Sequence, residues 1–280
     1  MILSFHPCFS GDKNIICAGR VPGADDLSAI KAADAVILPQ GCSQRLYEMA
    51  RDHCDHVFPD YDARYQYPGK TGQIRLFRKM NLLHPKTCLY RSTGEVSGKT
   101  TAIADFDLPW VFKFPWGGEG ESVFLIESEA QFEKMLDRAA LYEKSGQAGF
   151  LIQEYIPTHR SLRIVRINET IRSYWRVMEG NETFGTSLAA GAVVDTETDP
   201  KLQQTAIDRL ESFCGKTGIN LAGFDVLYAD DAEKKVPFFI EINYFFGRTG
   251  LGGSENFYRL LETGIKQWLD KNGRLKGKGI

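Results

Sequence analysis

The sequence has no apolar run long enough to cross a membrane. A membrane-spanning helix needs about 20 consecutive apolar residues, and charged or polar residues interrupt every apolar stretch of the 280-residue chain well before that length. Neither a basic leader nor a long apolar segment is found in the first residues, MILSFHPCFSG. We therefore expect a soluble, cytoplasmic protein with no membrane partner.

The sequence also lacks a paired cysteine motif and a strong charge of either sign. Its six cysteines are scattered without a C-x-x-C pair, which indicates free thiols in a reducing compartment. The H-C-D-H run at 53–56 contains metal-ligating residue types. Successive residues of a helix point in different directions, so we favour a solvated helix end over a zinc site. The formal net charge of −2 argues against a nucleic-acid partner, because such proteins usually carry a strongly basic face.

The first quarter of the chain has the pattern of a small α/β domain. Short apolar strands alternate there with a predicted helix at 44–54, which favours a partly parallel sheet. We assign residues 1–68 to this domain. Its last segment, YDARYQYP at 61–68, is expected to be a linker.

From residue 69 onwards the pattern changes to α+β. A helix, two strands, a second helix and a third strand are followed by two predicted antiparallel hairpins, at 162–177 and 223–243, with a helix from Pro200 to Thr217 between them. We expect two subdomains here, one at 69–156 and one at 157–272. This order of elements does not fit a dinucleotide-binding fold.

Three polar residues near the C-terminus have the residue types of a magnesium site. Glu241 and Asn243 are two apart in the strand FFIEIN, so they project from the same face. The hairpin turn places Asp225 opposite either Ile240 or Glu241. Two carboxylates and an amide oxygen suit Mg²⁺. A solvent-facing polar stripe on an amphipathic strand is the alternative that these residues alone leave open.

A glycine-rich turn, WGGEGES at 116–122, follows the predicted strand that contains Lys113. Gly117, Gly118 and Gly120 would let backbone N–H groups approach a polyphosphate, and Lys113 would add a positive charge. The segment is not a Walker loop, because no G-K-[ST] follows it. An ordinary hairpin turn is the alternative.

A third pattern is the end of a predicted strand that breaks at Pro157. Its backbone groups would be able to pair with the edge of an adenine ring, between apolar side chains. The pattern is weak in isolation, and an ordinary strand end explains it equally well. The residues concerned are Gln153, Glu154, Tyr155 and Ile156.

Together and in this order, these segments resemble the ATP-grasp superfamily, in particular its branch of ribosomal-protein glutamate ligases, glutathione synthetases and D-alanine–D-alanine ligases. The resemblance covers about residues 69–255. It implies an α+β ATP-grasp fold, in which two subdomains clasp ATP, preceded by the small α/β domain.

The resemblance also implies roles for particular residues. Those similar to the family's ATP-binding residues are Lys70, Lys113, Gly117, Gly118, Gly120, Gln153, Glu154, Tyr155, Ile156 and Arg163. Those similar to its metal ligands are Asp225, Glu241 and Asn243, and those expected at the reacting groups are Arg176 and Arg248.

Three positions depart from the family's pattern. Gly69 stands where an acidic residue is common, Ser161 where an aspartate is common, and Ser187 where asparagine is common. These departures leave the phosphate and metal residues in place, but they remove support for the family's ribose contacts and for any one substrate.

The activity implied by the resemblance is an ATP-dependent ligation of a carboxylate, on a small molecule or a peptide, to an amine. ATP would first phosphorylate the carboxylate to an acyl phosphate. The cofactors would be ATP with one or two Mg²⁺ ions, or Mn²⁺ in their place, and a homodimer stays open. Two alternatives remain: an ATP-grasp kinase that phosphorylates a hydroxyl, and a nucleotide-binding regulator without turnover. The substrates are not predicted.

Overall fold

A computed structural model describes residues 1–96, 104–117, 121–178, 184–186, 188, 191–229 and 235–272 of the chain. The N-terminal part contains a four-stranded sheet in the order β2-β1-β3-β4, and every pairing in it is parallel. The sheet confirms the predicted α/β character. Its strands are β1 (Ile2–Ser4), β2 (Lys13–Asn14), β3 (Ala35–Ile37) and β4 (Val57–Phe58).

Two helices accompany this sheet, α1 (Ala24–Lys31) and α2 (Gln44–His53). The α2 helix begins where the sequence predicts, because the Ser43 hydroxyl accepts a hydrogen bond from the Leu46 N–H at 3.3 Å. All six cysteines are free thiols, as expected. In the described parts of the chain, no cluster of three or more His, Cys, Asp or Glu side chains is arranged to hold a metal.

The prediction of a linker at 61–68 is wrong. Residues Asp62–Gln66 form a short helix, α3, and the Tyr61 side chain is completely buried. Tyr61 packs against Tyr65 and Tyr244 at ring-centroid distances of 6.3 and 5.7 Å, and the Arg64 guanidinium lies 4.9 Å from the Tyr61 ring. Polar residues dominate most linkers, but here the aromatic rings bury enough apolar surface to order the segment.

A four-stranded antiparallel sheet, in the order β5-β8-β6-β7, forms the middle of the chain. Its core contains the stacked rings of Phe112 and Phe150, 4.8 Å apart. The first of its strands was not predicted. The elements are α4 (Gly69–Met80), β5 (Thr87–Tyr90), β6 (Trp110–Lys113), β7 (Val123–Ile126), α5 (Glu129–Lys144) and β8 (Phe150–Glu154).

A five-stranded antiparallel sheet, in the order β11-β10-β9-β12-β13, carries the C-terminal half. Both predicted hairpins are present in it. Its elements are β9 (Arg160–Ile167), β10 (Thr170–Val177), β11 (Val193–Asp195), α6 (Pro200–Thr217), β12 (Leu221–Leu227), β13 (Phe238–Asn243) and α7 (Gly253–Lys271).

Helices cover both faces of this sheet. Leu210 of α6 belongs to the same buried cluster as Trp175, whereas Phe257 of α7 belongs to the cluster of Tyr174. Trp175 and Tyr174 are successive residues of β10, so they point to opposite faces, and both are buried. Within the described residues, no helix is long and apolar enough to cross a membrane.

The helix α6 begins at Pro200, as predicted, without a side-chain cap. Asp199 precedes it, but its side chain makes no capping bond and its backbone is left-handed, with φ of 48°. The carboxylate instead pairs with Arg160 at 2.5 Å. The helix ends at Gly218, whose φ of 75° is the left-handed conformation expected there.

We expect replacement of Tyr61 by Phe to stabilise the protein. Among the described residues, the Tyr61 hydroxyl is fully buried without a hydrogen-bond partner. An unpaired buried polar group costs about 1–3 kcal/mol, so its removal should raise the free energy of unfolding by about 1 kcal/mol, measured by urea denaturation.

The matched control for this change is Tyr65→Phe. The Tyr65 hydroxyl donates to the Cys42 carbonyl at 2.7 Å, so its removal should lower the free energy of unfolding by about 1 kcal/mol. Destabilisation of similar size in both variants would contradict the assignment of Tyr61 as unpaired.

Candidate active site

The β12–β13 pairing brings the predicted metal-binding residues together. Asp225 lies directly opposite Glu241, and Gly223 opposite Asn243. This is one of the two registers that the sequence allows, and it makes the three polar residues converge. The register shifts immediately after Asp225, between it and Val226.

Four hydrogen bonds converge on the carboxylate of Asp225. Arg163 donates from Nε to Oδ1 at 2.6 Å and from Nη2 to Oδ2 at 3.1 Å, and Arg176 donates from Nη2 to Oδ1 at 2.7 Å. The side-chain amide of Asn243 donates to Oδ2 at 3.1 Å. A carboxylate has about four lone-pair sites, so these bonds occupy all of them.

The two arginines determine the ionisation of Asp225. Burial alone would raise the pKa of this carboxyl group, but the guanidinium groups of Arg163 and Arg176 hold the pKa below its usual value. Asp225 is therefore an anion at neutral pH. Because the arginines lie on β9 and β10 and the aspartate on β12, this contact fixes the polar face of three neighbouring strands.

Glu241 has a more open environment than Asp225. Burial raises the pKa of Glu241, the charge of Asp225 adds to this effect, and Lys70 and Lys113 oppose it. The Lys70 ammonium lies 3.8 Å from Oε1, and the Glu241 side chain is 29% exposed. No hydrogen-bond donor to its carboxylate is found among the described residues. Glu241 can therefore accept a ligand without giving up an existing hydrogen bond.

Lys70 lies in the first turn of α4, and its ammonium contacts the glycine-rich turn. It donates to the carbonyl oxygen of Gly117 at 2.8 Å, to the hydroxyl of Ser122 at 3.2 Å and to the carbonyl oxygen of Trp116 at 3.4 Å. The side chain is only 7% exposed. These contacts hold the ammonium between the turn and the carboxylate of Glu241.

Gly69, which stands where an acidic residue is common in the family, is glycine for a steric reason. Its φ is +65°, and a Cβ atom at this position would lie 2.9 Å from the Pro115 carbonyl oxygen, so a side chain would be strained there. Gly117 is similar, with φ of +80° and a Cβ position 2.9 Å from Ser122. Two other glycines of the predicted turn, Gly118 and Gly120, lie outside the described residues.

Lys113 and Gln153 form a buried pair. The Lys113 ammonium donates to Oε1 of Gln153 at 2.6 Å, and Nε2 of Gln153 donates to the Thr87 hydroxyl at 2.9 Å. Burial lowers the pKa of Lys113 to about 8. The charges of Glu241 and Asp225 oppose this shift, and that of Lys70 adds to it.

The next three residues of the predicted adenine segment lie at the end of β8. The Glu154 N–H donates to the Lys86 carbonyl at 2.8 Å, and the Glu154 carboxylate accepts from the Lys86 N–H at 3.1 Å. Tyr155 lies 6.3 Å from Phe184, measured between ring centroids, and Ile156 is buried. The apolar side chains next to the end of β8 are therefore those of Tyr155 and Ile156.

Arg248 makes its contacts away from the Asp225 cluster. Its guanidinium lies 4.8 Å from the Phe257 ring centroid and 4.5 Å from that of Tyr258, and Nη1 donates to the Ser254 hydroxyl at 3.3 Å. Of the two arginines predicted at the reacting groups, only Arg176 therefore binds Asp225.

Ser161 is the second position that departs from the family's pattern, and its contacts explain why a serine fits there. It is completely buried, and its hydroxyl accepts hydrogen bonds from Nε of Arg176 at 3.1 Å and from the Thr186 hydroxyl at 2.6 Å. An aspartate would add a charge beside Arg176 here. The third departure, Ser187, lies outside the described residues.

Gln73, which was not predicted as a site residue, joins α4 to the strand that carries Glu241 and Asn243. Its side-chain amide donates to the Ile242 carbonyl at 2.8 Å and accepts from the Ile242 N–H at 2.9 Å. Lys70, one turn earlier on α4, approaches Glu241 of the same strand. The helix therefore holds this strand at two successive positions.

The sequence contains a pattern that indicates a buried, hydrogen-bonded position for Gln73. Lys70, Gln73 and Phe77 are spaced i, i+3 and i+7, so they share one face of the helix. Ile74 and Phe77 mark that face as buried, and a polar residue on a buried face needs a hydrogen-bond partner.

The charges of the site do not cancel. Four cationic side chains surround two carboxylates, which leaves an excess of two positive charges. The cations are Lys70, Lys113, Arg163 and Arg176, and the anions are Asp225 and Glu241. A polyanion that arrives with a bound cation would balance this excess.

Residues 69–256 match the model of the RimK-like ATP-grasp domain. The chain belongs to this family. ATP binding is typical of ATP-grasp proteins, and most of them are ATP-dependent carboxylate–amine ligases. No curated protein sequence matches the chain.

Solved structures confirm the fold. A RimK domain protein from Sphaerobacter thermophilus superposes with a TM-score of 0.63 at 14% identity, over 94% of this chain and 98% of that one. The D-alanine–D-alanine ligase of Bacillus anthracis, solved with ATP, gives 0.58 at 12% identity, over 88% and 84%. An N5-carboxyaminoimidazole ribonucleotide synthetase, solved with ADP, gives 0.59 at 15% identity over 89% of this chain. The chain spans only 64% of that synthetase.

We expect Gln73→Leu to destabilise the protein. The change leaves the Ile242 N–H and C=O without partners, and each unpaired buried group costs about 1–3 kcal/mol. The free energy of unfolding in urea should therefore fall by roughly 2 kcal/mol or more. Gln204→Leu is the control, since Gln204 is exposed on α6 and its side chain donates to the Asp208 carboxylate at the surface. Equal effects of the two changes would contradict the role of Gln73.

The pKa of Lys113 predicts a pH dependence of ATP affinity. Above pH 8 the free protein loses the Lys113 charge, whereas bound phosphates would raise the pKa of Lys113 in the complex. Binding then requires uptake of a proton, so the affinity should fall between pH 7.5 and 9, by about tenfold.

Calorimetry of Mg·ATP binding at the two pH values measures this effect. Lys113→Met should bind more weakly and show little change over the same interval. If the affinity of the wild-type protein is the same at both pH values, Lys113 does not contact the phosphates.

Proposed function

We propose that this protein is an ATP- and Mg²⁺-dependent ligase that joins a carboxylate to an amine through an acyl phosphate. The observation that carries the proposal is the buried cluster of four cations around Asp225 and Glu241, at the centre of an ATP-grasp fold. The carboxylate would belong to a small molecule or a peptide. We also propose the three predicted units, 1–68, 69–156 and 157–272, as its domains.

The nucleotide would lie between the two antiparallel sheets. Lys70 and Lys113 would neutralise its phosphates, and both ammonium groups are already held in place by hydrogen bonds. The strand end at 153–156 would contact the adenine, with Tyr155 and Ile156 beside the ring. The turn with Gly117, Gly118 and Gly120 would cover the phosphates, and Arg163 would face them.

The residues present fit a hard divalent cation. Glu241 offers a carboxylate, and Asn243, which donates from its nitrogen to Asp225, offers its amide oxygen; neither group accepts a hydrogen bond from a side chain or backbone in the part of the chain that the structure describes. An all-oxygen donor set is what Mg²⁺ prefers. Asp225 can join this set only by giving up one of its four hydrogen bonds. When bound, the ion would supply positive charge that neutralises the phosphates.

The proposed chemistry needs no protein nucleophile. An oxygen of the substrate carboxylate attacks the γ-phosphorus, the bond to the bridging oxygen breaks, and ADP leaves with the electron pair. The amine then attacks the acyl carbon, the carbon–oxygen bond to phosphate breaks, and inorganic phosphate leaves while the nitrogen loses a proton. The protein positions the reactants and stabilises charge, with Arg176 at the acyl phosphate and the oxyanion.

Product analysis tests the proposal. Purified protein is incubated with Mg·ATP and a panel of carboxylates crossed with amines, and ADP release is followed. Hydroxylamine is included as an amine, because it converts an acyl phosphate to a stable hydroxamate. A ligase gives ADP with an amide or hydroxamate, whereas a kinase gives a stable phosphoester. A phosphoester, or nucleotide binding without ADP release for any pair, would exclude the ligase.

Substitutions at the metal and arginine positions give a further prediction. Asp225→Asn and Glu241→Gln should abolish turnover, and Arg176→Gln should lower kcat by roughly 100- to 1,000-fold, the effect of removing one preorganised donor. Arg172→Gln, at an exposed position on the same strand, is the control and should keep activity. Circular dichroism checks the fold of each variant. Substantial activity in both carboxylate variants would exclude them as metal ligands.

A further inference from the structure

A second polar site lies where the N-terminal sheet meets α7. His6 follows β1, at the carboxyl end of a parallel sheet, and Arg248 lies in the segment between β13 and α7. Both contact the Tyr258 ring: the His6 ring at a centroid distance of 6.2 Å, and the Arg248 guanidinium at 4.5 Å. The carboxyl ends of parallel strands are common ligand sites in α/β sheets.

The positive charge of Arg248 has no acidic partner among the described residues. Its guanidinium lies 4.8 Å from the Phe257 ring centroid and 4.5 Å from that of Tyr258, and its side-chain hydrogen-bond partners there are the neutral hydroxyl groups of Ser254 and Tyr258. These contacts hold the group in place while leaving most of its N–H donors unused. A fixed guanidinium with unused donors is suited to an anion from outside the protein.

His6 adds an oriented donor beside this cation. Its Nδ1 accepts a hydrogen bond from the Cys8 N–H at 3.0 Å, so the neutral ring carries its proton on Nε2. Burial lowers the pKa of His6 to about 4, and the charge of Arg248 adds to this effect, so the ring is neutral at pH 7. No described residue accepts a hydrogen bond from Nε2, although the side chain is largely buried.

We propose that His6 and Arg248 bind a carboxylate group of a substrate that does not itself react, an inference that rests on the ligase function proposed above. With His6 neutral, the site carries a single positive charge, which matches one carboxylate better than a phosphate. Two parallel N–H groups of Arg248 pair with the two carboxylate oxygens, and the His6 N–H donates to one of them. The reacting carboxylate belongs instead at Arg176, in the separate cluster around Asp225.

Two kinds of substrate would supply such a group. The amine substrate has one if it is an amino acid or a peptide with a free C-terminus. The carboxylate substrate has one if it is a dicarboxylate. His6 belongs to the part of the chain that precedes the matched family domain, so the N-terminal domain would take part directly in substrate selection.

An activity test compares acids with their amides. The ADP-release assay is run with amino acids and their α-carboxamides as amines, and with succinate and glutarate and their monoamides as carboxylates. We expect loss of the non-reacting carboxylate to lower kcat/KM by about 10- to 100-fold in one of the two arms, the effect of a charge-assisted hydrogen bond. The arm that shows the loss identifies the substrate that carries the group.

Variants connect this loss to the site. Arg248→Gln should lower kcat/KM for the acid to the level of the amide and change the amide little. His6→Phe keeps a ring against Tyr258 but removes the N–H, and should have a smaller effect of the same kind. Arg45→Gln and His53→Gln, at exposed positions on α2, are the matched controls.

A binding test is independent of turnover. The imidazole signals of the full-length protein with Mg·ADP are followed by NMR, and the His6 signal is identified by its loss in His6→Phe. Acids of the panel should shift this signal and raise the His6 pKa above about 4, because a carboxylate favours the charged ring. The corresponding amides should neither shift this signal nor raise the His6 pKa.

The outcomes separate the two proposals. If amides turn over as well as acids in both arms, the carboxylate site is wrong and the ligase function stands. If no pair gives ADP, the ligase function fails, and the NMR titration decides the site by itself. If no acid shifts the His6 signal, the carboxylate site is wrong whatever the activity.

Discussion

The ion pairs of Asp225 with Arg163 and Arg176 are the contact on which the rest of the site depends. One buried carboxylate holds two guanidinium groups, and their positive charges oppose the effect of burial and help to hold its pKa below the usual value. Removing either arginine would leave a buried charge partly unpaired, which usually costs several kcal/mol. The same contact fixes which faces of β9, β10 and β12 are polar. The helices α6 and α7 cover the apolar residues on the two faces of this sheet.

The cluster around this contact has an excess of positive charge. Two of its cations, Lys70 and Lys113, are hydrogen-bonded to neutral groups, which do not cancel that charge. Lys70 is bound by carbonyl oxygens and a hydroxyl, and Lys113 by the amide oxygen of Gln153. Neutral partners orient an ammonium group without cancelling its charge. A carboxylate in place of Gln153 would satisfy Lys113 equally well but would weaken its attraction for phosphate. The Lys113 ammonium is thus held in place while its charge stays available to a phosphate.

Local sequence patterns predict much of this structure, and their failures have physical causes. Residue alternation and capping predict both hairpins and α6, and the two-residue spacing predicts that Glu241 and Asn243 share a face. The short strand Lys13–Asn14 is missed because two residues carry no periodicity and exist as a strand only by pairing. The pair of Lys113 with Gln153 joins residues 40 positions apart, which no local pattern reveals. The linker prediction at 61–68 fails because aromatic burial outweighs a polar composition.

The two hydrogen bonds between the Gln73 side chain and Ile242 also protect the sheet edge against pairing with another copy of the protein. β13 is the outermost strand of its sheet, and an exposed strand edge can template pairing with another chain and lead to aggregation. Here the side-chain amide of Gln73 imitates a peptide group and occupies both the N–H and the C=O of Ile242, and the Leu83 carbonyl takes the N–H of Phe239 at 2.9 Å. The edge strand that carries the predicted metal-binding residues Glu241 and Asn243 is thereby less able to pair with a neighbouring molecule.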